Sequence, residues 1–156
     1  MQELLQALLS GDLTLFEEHL SRLLLESASF LTASGDPVKM PPEHVYQAFI
    51  LGLLVQLQPK FLVRSNREAG HGRYDVMVIP REPGQPGAVL ELKVKKKGET
   101  LQRALLSAKK QLLSRDYAAE LRAQGAAPIQ QVAVAFDGKK VLVQSASAQS
   151  RRGKRR

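Results

Sequence analysis

Residues 71–93, HGRYDVMVIPREPGQPGAVLELK, decide how the rest of the chain is arranged. Two short apolar runs, Tyr74–Ile79 and Ala88–Val94, flank a connection that is rich in proline and glycine. Short apolar runs bounded by such residues are typical of β-strands, and this spacing predicts a β-hairpin with a loose loop. We therefore expect two antiparallel strands around which the other elements are placed.

Three charged residues lie inside these apolar strands. Asp75 is near the start of the first strand, and Glu91 and Lys93 lie in the second. Side chains alternate between the faces of a strand, so Glu91 and Lys93 share one face, and the hairpin can place Asp75 beside Glu91. Burying two carboxylates and an ammonium group in a core is costly. A divalent cation between the acids, Mg²⁺ or Mn²⁺, accounts for the arrangement because carboxylate oxygens suit such ions.

The chemistry that this site indicates is phosphodiester hydrolysis. A bound cation polarises a phosphoryl oxygen and activates water. Lys93 would orient or deprotonate the attacking water, or stabilise the charge that builds up on phosphorus. Spacing alone is weak support, because D-x15-E-x-K also arises by chance. A surface ion pair between Glu91 and Lys93, with Asp75 at a strand end, explains the same residues.

The composition indicates one globular domain without a membrane segment. At 156 residues and 44% apolar content, the chain is long enough for a core of its own. No apolar run approaches the roughly 20 residues that span a bilayer, and the first residues lack the features of a signal peptide. The absence of cysteine excludes disulfides and thiolate ligands, so we expect a cytoplasmic location.

The positive charge is concentrated in a few places. Lysine and arginine total 23 against 15 acidic residues, a net charge of +8. Five of these basic residues lie in the final six positions, RRGKRR, so the rest of the chain carries only +3. Further clusters lie at Lys95–Lys97 and at Lys109 and Lys110. Acidic residues rimmed by lysines are typical of a site for a polyanion, which favours nucleic acid as the substrate.

Periodicity and turn residues predict the remaining elements. Helices are expected over residues 2–9, 13–27, 43–58 and about 98–125. Besides the hairpin, strands are expected over Phe61–Arg64, Ile129–Phe136 and Val141–Gln144. The order α-β-β-β-α-β-β implies an α/β fold with a mixed sheet flanked by helices. We expect an N-terminal helical extension over residues 1–40, the main domain over 41–144 and a disordered basic tail over 145–156.

Seven short segments together resemble the PD-(D/E)XK nuclease superfamily, and within it the nuclease domain that commonly follows an AAA-ATPase-like domain in bacterial proteins. They are Glu43-x-x-Tyr46, FILGLL (49–54), SNRE (65–68), GHGRYDVMVIP (70–80), LELKV (90–94), QLLSRDY (111–117) and VAVAFDGKKVLV (132–143). The resemblance implies a restriction-endonuclease-like fold and a metal-dependent nuclease that acts on DNA more readily than on RNA.

The resemblance also implies roles for single residues. Asp75 and Glu91 match the metal-binding acids, and Lys93 matches the catalytic lysine. Glu43 resembles an extra acid that often completes the metal shell, although a first-turn glutamate favoured by the helix dipole is the alternative. Gln47 stands where we expect histidine in relatives, which leaves the role of that position open.

Gln111 and Tyr117 resemble a helix motif that lines the site or touches DNA. On one continuous helix, six residues span about 600°, so at most one of the two side chains would point inward. Tyr117 is otherwise a core or boundary aromatic residue. Arg67, His71 and Arg73 flank the opening of the site, as phosphate contacts or as solvated loop charges. The charge pattern separately predicts salt-sensitive nucleic-acid binding by the lysines and the tail, namely Lys95, Lys96, Lys97, Lys109, Lys110 and residues 151–156.

Two alternatives to an active nuclease remain open. One is a catalytically silent nucleic-acid-binding or assembly module that keeps the fold. The other is a fragment, since this sequence contains no ATPase-like domain. Its leucine-rich N-terminal helices would then dock on that missing partner, or pair two copies of the chain, because exposed apolar stripes favour association.

Overall fold

The structure, a computed structural model, describes residues 2–27, 43–65 and 75–146. In these ranges five strands form one sheet: β1 Phe61–Arg64, β2 Val76–Pro80, β3 Gly87–Val94, β4 Ile129–Asp137 and β5 Lys140–Ser145. The helices are α1 Gln2–Ser10, α2 Leu13–Glu26, α3 Glu43–Leu54, α4 Leu101–Ser114 and α5 Ala118–Ala123, and a 3-10 turn, Val55–Leu57, follows α3.

The sheet is mixed, as the sequence predicts. The strands lie in the order β1-β2-β3-β4-β5, with β3 and β4 parallel and every other neighbouring pair antiparallel. The predicted hairpin is β2–β3, and Val76 pairs with Leu90. Parallel neighbours need a crossover, which α4 and α5 provide between β3 and β4. The predicted fold class, a restriction-endonuclease-like mixed sheet flanked by helices, is confirmed.

Each face of the sheet carries its own hydrophobic core. On one face, α1, α2 and α3 pack against alternate strand residues that include Leu90 and Leu92. On the other face, α4 and α5 pack against Val89, Ala133 and Ala135. The alternation of β3 therefore directs Glu91 toward the face covered by α4 and α5.

The N-terminal helices belong to the first core. The buried leucines of α1 and α2, with Phe16, share one cluster with strand residues such as Val134 and Val143. The Glu17 carboxylate also accepts a 2.8 Å hydrogen bond from the Val143 amide, which satisfies a backbone donor of the edge strand β5. The expectation of exposed apolar stripes on these helices is therefore wrong, because the stripes are buried within the chain itself.

The predicted long helix over 98–125 is wrong, because the chain leaves the helical conformation between α4 and α5. Thr100 caps α4, and its Oγ1 accepts a hydrogen bond from the Arg103 amide. The helix ends at Ser114 because Arg115 is extended, with φ −120° and ψ 143°. An Arg122–Asp116 ion pair of 3.0 Å spans the start of α5. Because of this interruption, the Tyr117 side chain is buried in the protein.

Gly125 ends α5 in the way the sequence predicts. Its φ is +82°, a left-handed conformation that glycine adopts without strain. The Gly125 amide donates to the Arg122 carbonyl, and the Ala126 amide donates to the Leu121 carbonyl. These two bonds form a Schellman motif.

The ordered chain extends past the predicted boundary at 144. Ser145 belongs to β5, and Ala146 is buried with its amide bonded to the Gln131 carbonyl. The rest of the predicted disordered tail, together with Arg67, His71 and Arg73, lies outside the described residues. Within the described ranges, no helix has both the length and the apolar character needed to cross a bilayer.

Candidate active site

The register of the hairpin brings Asp75 to Glu91. Asp75 immediately precedes β2. Because Val76 pairs with Leu90 on the antiparallel strand, continuing the register by one residue places Asp75 opposite Glu91. Its amide donates to the Leu90 carbonyl at 3.2 Å, and its Oδ2 accepts from the Leu92 amide at 2.7 Å. The two bonds bracket Glu91 and hold the Asp75 carboxylate against β3. The adjacency that the sequence predicts for Asp75 and Glu91 is therefore present.

Glu91 and Lys93 form an ion pair on this face. The Lys93 Nζ lies 4.0 Å from the Glu91 Oε2. Glu91 is only 3% exposed and is the one charged residue in the core of the described chain, whereas 30% of the Lys93 side chain is exposed. A buried carboxylate is costly unless positive charge compensates it. The lysine supplies part of that compensation from the solvent side.

Small residues beside the pair leave room above the sheet. Glu91 lies next to Ala133 on the parallel strand β4, and Lys93 lies next to Ala135. Both alanines are fully buried. Because alanine carries only a methyl group, the acidic and basic side chains share this face with α4 and α5 without displacing the sheet.

Gln111 and Tyr117 meet at the interruption between α4 and α5. The two side chains are hydrogen-bonded to each other. The expectation that the two side chains lie well apart on the helix is wrong, because it assumed a continuous helix. Burial is the main cause that raises the pKa of Tyr117 above its ordinary value of 10.0, and the negative charges of Glu91 and Asp75 raise it further. Tyr117 is therefore a neutral phenol at physiological pH, close to both carboxylates.

The start of α3 reaches the same region through Gln47. Its Nε2 donates to the Asp75 carbonyl at 3.0 Å and to the Ser65 Oγ at 3.3 Å. Sequence reasoning left this residue without a role, since a lone glutamine carries no signal of its own. Glu43 is one helical turn earlier on the same face of α3 and is exposed.

The three predicted metal acids do not all come together. Among residues 2–27, 43–65 and 75–146, no three His, Cys, Asp or Glu side chains lie close enough to hold a metal ion. Asp75 and Glu91 are adjacent, but Glu43 does not join them in such a group. The donor set still fits a hard divalent cation, because two carboxylates suit an ion that keeps several of its waters.

Basic residues concentrate at one end of the sheet. The strands β3 and β4 are parallel, so Lys95–Lys97 after β3 lie at the same end as the β4–β5 turn, which carries Lys139 and Lys140. The Lys95 amide donates to the Phe136 carbonyl, which ties the two segments together. Lys96, Lys97 and both turn lysines are exposed. Sequence analysis did not single out Lys139 and Lys140, because their position depends on the strand pairing.

The helix α4 adds two lysines on the outer side of the second core. The Lys109 Nζ donates to the Gln144 Oε1 at 2.9 Å, so this side chain lies across β5. Lys110 is exposed. These positions leave Lys110, more than Lys109, available for an external anion.

Comparison with known protein families tests the resemblance that the sequence shows. The model of the PD-(D/E)XK nuclease superfamily matches residues 41–146, which cover the sheet, α3, α4 and α5. No curated protein and no solved structure matches the chain. The family match, the mixed sheet and the D-x15-E-x-K residues agree with one another. The chain belongs to the PD-(D/E)XK nuclease superfamily.

Proposed function

We propose that the protein is a metal-dependent nuclease that hydrolyses phosphodiester bonds in nucleic acid, with DNA preferred to RNA. The observation that carries this proposal is the adjacency of Asp75 and Glu91, with the Lys93 ammonium 4.0 Å from the buried carboxylate. Two adjacent carboxylates repel each other, and a divalent cation held between them stabilises both charges. Membership of the nuclease superfamily supports the same function.

The three residues have different proposed roles: two hold the cation, and the third orients water or stabilises charge. Asp75 and Glu91 would hold Mg²⁺ or Mn²⁺, and a bound ion would polarise a phosphoryl oxygen and favour ionisation of water. Lys93, more exposed than Glu91, faces the substrate side and orients the attacking water or stabilises the negative charge on phosphorus. The water oxygen forms a new bond to phosphorus and gives up a proton to solvent, and the bond from phosphorus to the leaving oxygen breaks as that oxygen takes a proton from solvent.

Glu43 is proposed to act at longer range. Its place on α3, one turn from Gln47, directs it toward the end of the sheet that holds Asp75. Because Mg²⁺ keeps several waters, a carboxylate outside direct coordination distance can still bind the ion through one of them. Replacing Glu43 with glutamine should therefore weaken metal binding less than replacing Asp75 does.

The basic end of the sheet is the proposed surface for the polyanion. Lys95, Lys96 and Lys97 lie there with the turn lysines, and Lys110 extends the surface along α4. Tyr117 lies near both carboxylates and contacts Gln111, and the two residues are proposed to contact the substrate near the cleaved bond. Arg67 and Arg73 are proposed to add phosphate contacts. Such binding should weaken steeply with salt.

A panel of substrates tests the proposal. The wild type and Lys93→Met are incubated with double- and single-stranded DNA and with RNA, in Mg²⁺, Mn²⁺ or chelator, and cleavage is followed on gels. The proposal predicts cleavage only with metal, faster on DNA, and loss of cleavage in Lys93→Met. Lys60→Ala, which removes an exposed lysine at the opposite end of the sheet, is the matched control.

A silent binding module is the second candidate, because Glu43 does not join the other acids in a three-residue group. The same panel separates it from the nuclease. Nucleic-acid binding by the folded wild type, with no cleavage in either metal, would establish the silent module.

A further inference from the structure

Gln47 joins three separate segments at the edge of the candidate site. Its side-chain amide extends from α3 and donates one hydrogen bond to the Ser65 hydroxyl, just after β1, and another to the Asp75 carbonyl, just before β2. The side chain is half-buried. Both donors of the amide nitrogen are therefore used, and both acceptors belong to other parts of the fold.

The bond to Asp75 completes the restraints on that residue. The Asp75 amide is bonded to Leu90 and its carboxylate to the Leu92 amide, so these two bonds fix it against β3. The Gln47 bond acts on the opposite side, at the carbonyl oxygen. Fixing a carbonyl fixes the plane of the following peptide, because that unit is rigid. The direction of the Asp75 side chain is thereby set from both sides.

We propose that Gln47 is a positioning residue that holds the Asp75 backbone so that its carboxylate faces the metal site. The predicted effect on metal binding rests on the proposed function, whereas the predicted effect on the direction of the Asp75 carboxylate does not. Gln47 acts through Asp75, because its amide nitrogen donates to protein acceptors. Groups that orient metal ligands typically contribute about 10- to 100-fold to metal affinity or activity.

The competing explanation is that Gln47 only fastens α3 to β1 through Ser65. The two roles use different hydrogen bonds, so single substitutions separate them. Ser65→Ala removes the bond to β1 and keeps the bond to Asp75. Gln47→Leu has a similar shape but no donor, and Gln47→Glu places an acceptor against the Asp75 carbonyl. Gln47→His keeps one donor, because the histidine Nε2 can carry a proton. That nitrogen is the same number of bonds from Cα as the glutamine Nε2.

The amide resonance of Leu92 gives a readout that needs no metal. That amide donates to the Asp75 Oδ2 at 2.7 Å, so its proton shift reports where the carboxylate points. The proposal predicts that Gln47→Leu and Gln47→Glu move the Leu92 resonance, whereas Gln47→His and Ser65→Ala leave it near the wild-type position. An unchanged Leu92 resonance in folded Gln47→Leu and Gln47→Glu would overturn the proposal.

Binding of Mn²⁺, followed by the loss of the free-ion paramagnetic signal, gives the second readout. We expect Gln47→Leu to weaken Mn²⁺ binding about 10-fold, with nucleic-acid binding in chelator within about twofold of the wild type. Gln47→His should recover most of the affinity, and Ser65→Ala should keep it. Thermal unfolding of every variant identifies any that do not fold, and Gln47→Met, which also lacks a donor and adds no charge, then replaces Gln47→Leu in this measurement.

The outcomes separate this inference from the proposed function. Equal Mn²⁺ affinity in the wild type and in folded Gln47→Leu, or in its replacement Gln47→Met, would overturn the positioning role alone. A wild type that binds no Mn²⁺ would overturn both the proposed function and the predicted effect of Gln47 on metal affinity. The Leu92 resonance would still show whether Gln47 sets the direction of the Asp75 carboxylate.

Discussion

Glu91 is the residue at which stability and function conflict most directly. It is 3% exposed, the Lys93 Nζ lies 4.0 Å from its Oε2, and Asp75 lies beside it. Neutralising a buried ion pair is often neutral or stabilising for the fold, and the partner that Glu91 would leave behind, Lys93, keeps contact with water because 30% of its side chain is exposed. An unstable charge that is retained in a core indicates a use for it, and a metal site is such a use.

Glu91→Gln should therefore separate the two properties. We expect a thermal midpoint equal to or above that of the wild type, because the amide has the same shape without the charge, and at least about 100-fold less metal-dependent cleavage. Calorimetry and single-turnover cleavage measure the two quantities. A large loss of stability with unchanged cleavage would favour a structural ion pair instead.

Tyr117 allows a second prediction at the residue scale. Its hydroxyl is bonded to Gln111, and its pKa is raised chiefly by burial, so it stays protonated at and above neutral pH. Tyr117→Phe should reduce cleavage by the same factor at every pH from 7 to about 9, because the phenol does not ionise in that window. Parallel pH–rate profiles for the two proteins check this. Profiles that converge as the pH rises to 9 would show that the phenol ionises there.

At the scale of elements, the sequence predicts the hairpin well and the helices between β3 and β4 poorly. The first strand of the fold, Phe61–Arg64, is found with its predicted bounds, and β2 and β3 differ by a residue or two. Alternating apolar residues and flanking turn residues determine such strands locally. The interruption at Arg115 contains neither glycine nor proline, and tertiary contacts of Tyr117 and an ion pair decide it. Local patterns do not record such contacts.

The contact between α3 and the β4–β5 turn has a testable dependence on pH. Tyr46 is fully buried, stacks on Phe136 with ring centroids 4.2 Å apart, and donates to the Gly138 carbonyl at 2.8 Å. Burial, followed by the charge of Asp137, raises the pKa of Tyr46 to about 12.

Tyr46→Phe should therefore lower stability at pH 8 by about 1 kcal/mol, the usual contribution of one hydrogen bond. A raised pKa means that the stability due to the neutral phenol is complete below pH 10 and is lost as the pH rises toward about 12. The difference between wild type and Tyr46→Phe should shrink over that range. Denaturant unfolding at pH 8, 10 and 11 measures it, and a constant difference would contradict the buried-phenol account.

The segment between β3 and α4 carries the prediction for substrate binding. Replacing both Lys96 and Lys97 with alanine should reduce the slope of log K against log salt by about 0.9 for each phosphate that these lysines neutralise in the wild type. Lys60→Ala should leave the slope unchanged, because that lysine lies at the other end of the sheet. Fluorescence anisotropy with labelled DNA at several salt concentrations gives both slopes. Equal slopes for the two variants would place the polyanion elsewhere.

For the whole molecule, α1 and α2 share a core with the sheet. The sequence shows their amphipathic pattern but not the surface that they cover, because periodicity identifies an apolar face without naming its partner. The family match begins at residue 41, and yet the packing continues through both helices. The candidate site divides in the same way. The adjacency of Asp75 and Glu91 is predicted by strand alternation and the hairpin, and the resemblance adds Lys93, whereas Gln47 and the contact of Gln111 with Tyr117 depend on the folded chain.

Leu8 and Leu25 test this integration. Leu8 is fully buried on α1, and Leu25 is 60% exposed on α2. Leu8→Ala should destabilise the single unfolding transition by about 2–5 kcal/mol, and Leu25→Ala by no more than about 0.5 kcal/mol. Two unfolding transitions, with only the weaker one shifted by Leu8→Ala, would mean that the helices form a separate unit.

The most direct measurement is cleavage of a mixture of supercoiled and linear DNA by the wild type and by Asp75→Asn, with Mn²⁺, Mg²⁺ or chelator. The proposed function predicts that the wild type cleaves at least one form with either metal and neither form in chelator. Asp75→Asn should fold and bind DNA but cleave at least about 100-fold more slowly. A folded wild type that cuts neither form with metal, or an Asp75→Asn variant that cuts at the wild-type rate, would contradict it.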